Sequence, residues 1–180
     1  MSKKSKKIYV LLTNFRDSGA FFLRALTGCE YTHASIGLEE DMNTFYSFVH
    51  KGFIVEKVAL YLKPGVQPYD CTLYEMKVTE KVYASIKKLI SSFINLKEKM
   101  TYSRIGVAMC LFKIPYKKKE SFFCSQFVAD ILRKSKAAKL ERDSAMYFPQ
   151  DITTIPGMKL KYRGNHRDFF SNYCVSLSIV

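Results

Sequence analysis

The chain has 180 residues, 48% of them apolar and 25% charged. That is globular composition, and it excludes a disordered chain; a chain this long buries roughly 70% of its unfolded surface and needs no disulfide or metal staple to fold. The net charge is +13, and it stays strongly basic without the four lysines of the first seven residues, Lys3, Lys4, Lys6 and Lys7. Such a surface attracts phosphate or other anions, or simply keeps the protein soluble.

Residues 1–7 read as a basic disordered tail and 8–180 as one domain. The run Ile8–Thr13 is a short β-rich strand. It resembles a signal peptide only superficially, since its apolar stretch is about five residues against the 7–15 such a segment needs. The longest apolar run in the body, Ile105–Phe112, falls short of the roughly 20 residues of a membrane span. A cytoplasmic location is therefore expected. Residues 19–27 carry helical spacing, with Gly28 as the stop. Thr32–Leu38 alternates, with Ala34, Ile36 and Leu38 on one face and His33, Ser35 and Gly37 on the other. A polar turn at 39–43 leads into strands at 44–49 and 53–58. Pro64-Gly65 marks a loop, and 71–78 alternates again.

Thr79 is a good N-cap for a helix over roughly 80–99, with Val82, Ile86, Leu89, Ile90 and Phe93 on its inner face. Residues 103–112 are apolar on nearly every side, which predicts a buried helix. Lys113–Lys119 is a basic loop. A helix follows over 121–134, then a loop or single turn near Pro149, and short strands near 158–163 and 174–179. Helices and strands do not alternate strictly, so the fold class is α+β.

Five cysteines with no C-x-x-C pair, and three histidines, give no zinc spacing. The thiols are expected to be reduced, and no metal or cofactor is implied. No nucleic-acid motif is present, so specific nucleic-acid binding is not expected.

Two residues carry the chemistry. Cys124 opens the stripe Cys124, Phe127, Val128, Ile131, Leu132 at a helix start, where the dipole lowers a thiol's pKa and the backbone N–H is unpaired. Taken alone, the stripe equally suits a core cysteine. His33 sits at the head of a strand beside small residues, and taken alone it equally suits a structural histidine. Together they are the two parts a thiol nucleophile requires. Hairpin parity puts residue 35 opposite 47 and 37 opposite 45. Ser47 then shares the His33 face, and a one-residue slip would bring His50 there instead.

The segments Thr-His-Ala-Ser-Ile-Gly-Leu and Phe-Phe-Cys-Ser-Gln-Phe-Val-Ala-Asp-Ile-Leu resemble the circularly permuted papain-like cysteine enzymes. These are relatives of the NlpC-type cell-wall peptidases that include YiiX-type proteins and lecithin-retinol acyltransferase. The resemblance covers about residues 8–155, and His33 preceding Cys124 is the permuted order. It implies a permuted papain-like fold, with an antiparallel sheet packed against helices and the Cys helix facing the His strand. It implies Cys124 as nucleophile, with its backbone N–H toward the oxyanion, and His33 as general base. Ser47 falls at the third polar position, where the family often has His, Glu or Asn. Tyr102 matches an aromatic hydroxyl near the site. The implied activity is that of a cysteine hydrolase, amidase or peptidase, working through a thioester. The substrate would be a small acyl, amide or peptide group, anionic or lipid-like. Acyltransferase or thioesterase chemistry and a non-catalytic binding module are the alternatives.

Overall fold

A computed structural model describes residues 5–15, 24, 27–57, 61–63 and 65–171. The expected helix over 19–27, the strand over 174–179 and Cys174 lie outside the described residues or mostly so. The fold is α+β. Its centre is a six-stranded sheet in the order β4-β3-β2-β1-β5-β8, and every neighbouring pair is antiparallel. The strands are β1 (Ser5–Thr13), β2 (His33–Leu38), β3 (Asp41–Val49), β4 (Gly52–Lys57), β5 (Asp70–Thr79) and β8 (Lys159–Asn165). A separate parallel pair, β6 (Thr101–Tyr102) and β7 (Ser121–Phe122), leads into the helix that carries Cys124.

The first strand begins at Ser5, three residues earlier than expected. The long β5 supplies its partners, from Ser5 opposite Thr79 to Thr13 opposite Cys71. Lys6 and Lys7 are drawn into ion pairs with Glu39 and Glu75. Lysine-rich composition therefore hides a strand end at residues 5–7, and residues 1–4 of the expected tail lie outside the described residues.

Both faces of the sheet are covered, as an antiparallel sheet with two apolar faces requires. On one side Val10, Leu12, Ala34, Ile36, Phe48 and Phe53 pack against two helices, α1 (Glu80–Asn95) and α3 (Cys124–Lys134). Helix α1 presents Tyr83, Ile86, Ile90 and Phe93, the 3–4 spacing read from sequence, and Thr79 caps it by accepting from the Val82 N–H. It ends at Asn95, and a short 3-10 turn takes up Lys97–Lys99. On the other side Tyr9, Leu11, Phe45, Cys71 and Leu73 pack against Phe169 and Phe170 at the short α4 (His166–Phe169). Fully burying side chains of this size stabilises by about 1.5–3 kcal/mol each, so the two-sided sheet is the rigid body that holds the site.

Two expectations fail locally. The helix over 121–134 starts only at Cys124, because Ser121 and Phe122 pair with Thr101 and Tyr102. Cys124 is thereby the first helical residue. The apolar helix α2 (Arg104–Leu111) is not buried: Gly106 and Cys110 are fully buried, Val107, Met109 and Leu111 half-buried, and Ile105, Phe112 and Ile114 face solvent. It packs through one narrow side, where a Cβ on Gly106 would press on Ser103 and Phe123. An all-round apolar pattern says that no face is polar, not that every face has a partner.

Candidate active site

The head of β2 and the start of α3 meet. Cys124 is buried on the first turn of α3 and His33 is buried at the first position of β2. Their side chains come close enough that each shifts the other's titration. His33 Nε2 lies 2.7 Å from Glu56 Oε1, and Glu56 is buried as well. With Nε2 taken by the carboxylate, Nδ1 is the nitrogen left for the thiol. The Glu56 carboxylate is itself held, since the Tyr61 hydroxyl donates to Oε2 at 3.0 Å. The Phe15 ring closes over His33 with centroids 5.3 Å apart.

Sheet parity explains why Glu56 is the partner. Gly37 stands opposite Phe45, as read from sequence, and Phe45 stands opposite Glu56 on the next strand. The Glu56 side chain therefore leaves the same face as His33 and Ser35. On that face β3 carries the apolar Phe45 and the polar Ser47, which is small and tied back: its hydroxyl donates to the Ala34 carbonyl at 2.6 Å. Ser47 is thus not the residue that orients His33. His50, the alternative, stands exposed in the turn between β3 and β4. The expected register holds, but the orienting group sits one strand further out. Tyr102 lies half-buried on β6, beside the Phe122 that precedes the Cys124 helix.

The electrostatics separate Cys124 from an ordinary buried cysteine. Burial pushes the Cys110 thiol up to about 12. Burial pushes Cys124 upward too. There the hydrogen bond and charge of His33, with the backbone N–H groups of Ala34 and Ser125 at the sulfur, outweigh it and hold the thiol below its usual value. For His33, burial works downward. The Glu56 carboxylate outweighs it, with help from hydrogen bonds to Cys124 and Glu56, and the imidazole is held above its ordinary pKa. The two directions together describe a thiolate beside an imidazolium. Burial, reinforced by Glu56, pushes the Tyr61 phenol far upward, so it stays a donor to the carboxylate.

Helix geometry adds a further element. As the first residue of an eleven-residue helix, Cys124 has a backbone N–H without an intrahelical acceptor, at the positive end of the dipole. The Gln126 carboxamide oxygen accepts from the Phe123 N–H just before it and fixes the entry to the turn. Three buried hydroxyls around the pair, Thr13 opposite His33, Ser35 and Ser125, have no hydrogen-bond partner among the described residues. Among those residues, no group of three His, Cys, Asp or Glu side chains is placed to hold a metal ion. No helix among them is long and apolar enough to cross a membrane.

Sequence reasoning missed Glu56 and Tyr61. Glu56 was findable: it is an acid inside an otherwise apolar strand, and a two-residue turn at His50-Lys51 sets its parity. No model of a known protein family and no curated protein sequence matches the chain.

Proposed function

We propose that the protein is a cysteine-dependent acyl-transfer enzyme, a hydrolase of the amidase or peptidase kind, on a permuted papain-like fold. The observation that supports this reading is the chain of contacts from Cys124 to His33 to Glu56, with the thiol at a helix N-terminus and the imidazole held at both nitrogens. The order of the elements, His strand before Cys helix around one antiparallel sheet, fits the permuted arrangement.

In this reading the Cys124 thiolate attacks a carbonyl carbon and the carbonyl oxygen takes up the negative charge. The Cys124 backbone N–H donates to that oxygen. The His33 imidazolium gives its proton to the leaving group, which departs as the thioester forms. His33 then takes a proton from water, which attacks the thioester; the C–S bond breaks, the acid is released and the Cys124 thiolate is regenerated beside the imidazolium. Glu56 holds the ring in the orientation and tautomer that both steps need, and stabilises the imidazolium between them. An acceptor other than water would turn the same first half-reaction into acyl transfer.

The test is exposure of the full chain to p-nitrophenyl acetate, followed by peptide mass spectrometry of every cysteine. Acetyl trapped on Cys124 in the wild type, and absent in His33→Gln, is the expected result. Acetyl spread over Cys29 and Cys110 as readily as Cys124, or indifferent to His33, would sink the enzyme reading.

A further inference from the structure

Helix α2 and the loop after it make a surface that the chemistry at Cys124 does not use. Ile105, Phe112 and Ile114 are 56%, 73% and 50% exposed. Ile105, Ala108 and Phe112 follow one helix face at three- and four-residue spacing, and all three are exposed. The end of the helix is not frayed. The Ile114 N–H donates to the Met109 carbonyl and the Lys113 N–H to the Cys110 carbonyl, the paired bonds that close a helix with a left-handed residue. Lys113 takes that left-handed position itself, with φ 57°. Phe112 and Ile114 are therefore held out in solvent by ordered backbone.

Cations flank these side chains along the chain. Arg104 opens the helix, Lys113 closes it, and Lys118 and Lys119 return the chain to β7; all four are exposed. None forms an ion pair with a described residue, whereas Lys117 is committed to Asp143. Glu120 is the single acid between residues 103 and 120.

We propose that this face docks on an anionic lipid bilayer, with Phe112, Ile105 and Ile114 entering the interface and Arg104, Lys113, Lys118 and Lys119 meeting lipid phosphates and carboxylates. Apolar side chains entering the headgroup boundary beside a cationic rim are the two terms that bind a peripheral helix to such a surface. Charge and exposure select this occupant. A second copy of the chain would bring the same cations, and a +13 molecule, against itself. Phe112, at 73% exposed, stands free to enter an interface. The helix is also anchored beside the candidate site, because Gly106 packs on Phe123, the neighbour of Cys124. Docking would bring the start of α3 toward the lipid. The proposal stands whether or not Cys124 is a nucleophile.

The experiment is co-sedimentation of the full chain with vesicles of phosphatidylcholine alone or with about a third phosphatidylserine, at physiological salt. The expected result is binding to the anionic vesicles only. Phe112→Asp, and separately the pair Lys118→Glu and Lys119→Glu, should each weaken the partition about tenfold or more, on the scale of about 1 kcal/mol per cation near the surface. Lys88→Glu, the same kind of change on an exposed face of α1, should leave it within about twofold. Unchanged binding by Phe112→Asp would overturn the proposal, as would an equal loss from Lys88→Glu, which would mean diffuse charge. Self-association of the wild type without vesicles, abolished by Phe112→Asp, would also overturn it and assign the face to a second copy.

Discussion

Glu56→Gln isolates the part of the site that holds the imidazolium. Glutamine keeps the shape of the side chain and a hydrogen bond to His33 but removes the charge. It can turn its carbonyl to His33 Nε2 and its amide to the Tyr61 hydroxyl, which rotates to accept. The magnitude follows from the geometry. Glu56 Oε1 is 2.7 Å from His33 Nε2, and both groups are buried. Unit charges about 4 Å apart interact by about 4 kcal/mol at an effective dielectric of about 20. The neutral hydrogen bond that remains returns about 1 kcal/mol of this. A loss of roughly 2–3 kcal/mol corresponds to about two pH units. The imidazolium then titrates lower, and the thiolate, which the imidazolium supports, titrates higher by a comparable amount. Ultraviolet thiolate absorbance against pH, with Cys124→Ser as the blank, reads the thiol directly and needs no reagent to enter a buried site. The circular dichroism spectrum and denaturant midpoint of Glu56→Gln establish that the fold persists. A Cys124 titration that does not move, in a folded Glu56→Gln protein, would refute Glu56 as the support of the pair and leave it a structural acid.

Ser47→Ala separates packing from chemistry. It removes the hydroxyl that satisfies the buried Ala34 carbonyl, so the denaturant midpoint should report a loss of about 1–2 kcal/mol while the Cys124 titration stays in place; a moved titration would restore Ser47 to the site. The pair should also shape stability against pH, compared between the wild type and a Cys124→Ser, His33→Gln double variant. The folded pair holds one proton, because the thiol is held below its usual value and the imidazole above its own. Above the folded thiol's own titration and below about pH 6.5, the unfolded chain holds two protons on these groups against one in the folded pair, so the stability difference rises with pH. From about pH 6.5 to 8.5 both states hold one proton and the difference is flat. Above about pH 8.5 the unfolded thiol loses its proton while the folded imidazolium keeps its own, and the difference falls. A difference that is flat across the whole range would mean a neutral pair.

Local pattern was enough to place Cys124 at a helix start and His33 at the head of a strand, and to pair Gly37 with Phe45. Those statements need one element or one hairpin. Glu56 needs parity carried through two hairpins, and the second turn, His50-Lys51, lacks the Asn-Gly or Asp-Gly signature that fixes a two-residue loop. Gly52 is the residue that marks it: φ is 100° there, and a side chain would run into the Met100 carbonyl. Helix α2 was misread for a different reason. Apolar residues on every side set no preferred face, and burial depends on what the rest of the chain brings near. Ile105 and Phe112 stay exposed among the described residues, and only Gly106 and Cys110 of the helix are fully buried.

The buried ionisable chain also runs against the logic of the surrounding core. Removing charges of this kind from water costs several kcal/mol each, and apolar side chains of the same volume often do as well or better for stability. Elsewhere the chain manages a buried acid in the ordinary way. Asp130 on α3 is met by Arg133, Lys134 and the Ser144 hydroxyl, and two of these partners reach solvent. Glu56 is instead met by one imidazole and one phenol, both largely enclosed, and the imidazole is shared with a thiol. On the same or adjoining residues of these elements, the Thr13, Ser35 and Ser125 hydroxyls are buried without partners among the described residues. A core selected only to hold the sheet against α1 and α3 would replace all seven with aliphatic groups. Keeping them is a local departure from consistent packing, of the kind that accompanies a reacting site, and it is where a buried thiol, imidazole and carboxylate come together, at the meeting of the head of β2 with the first turn of α3.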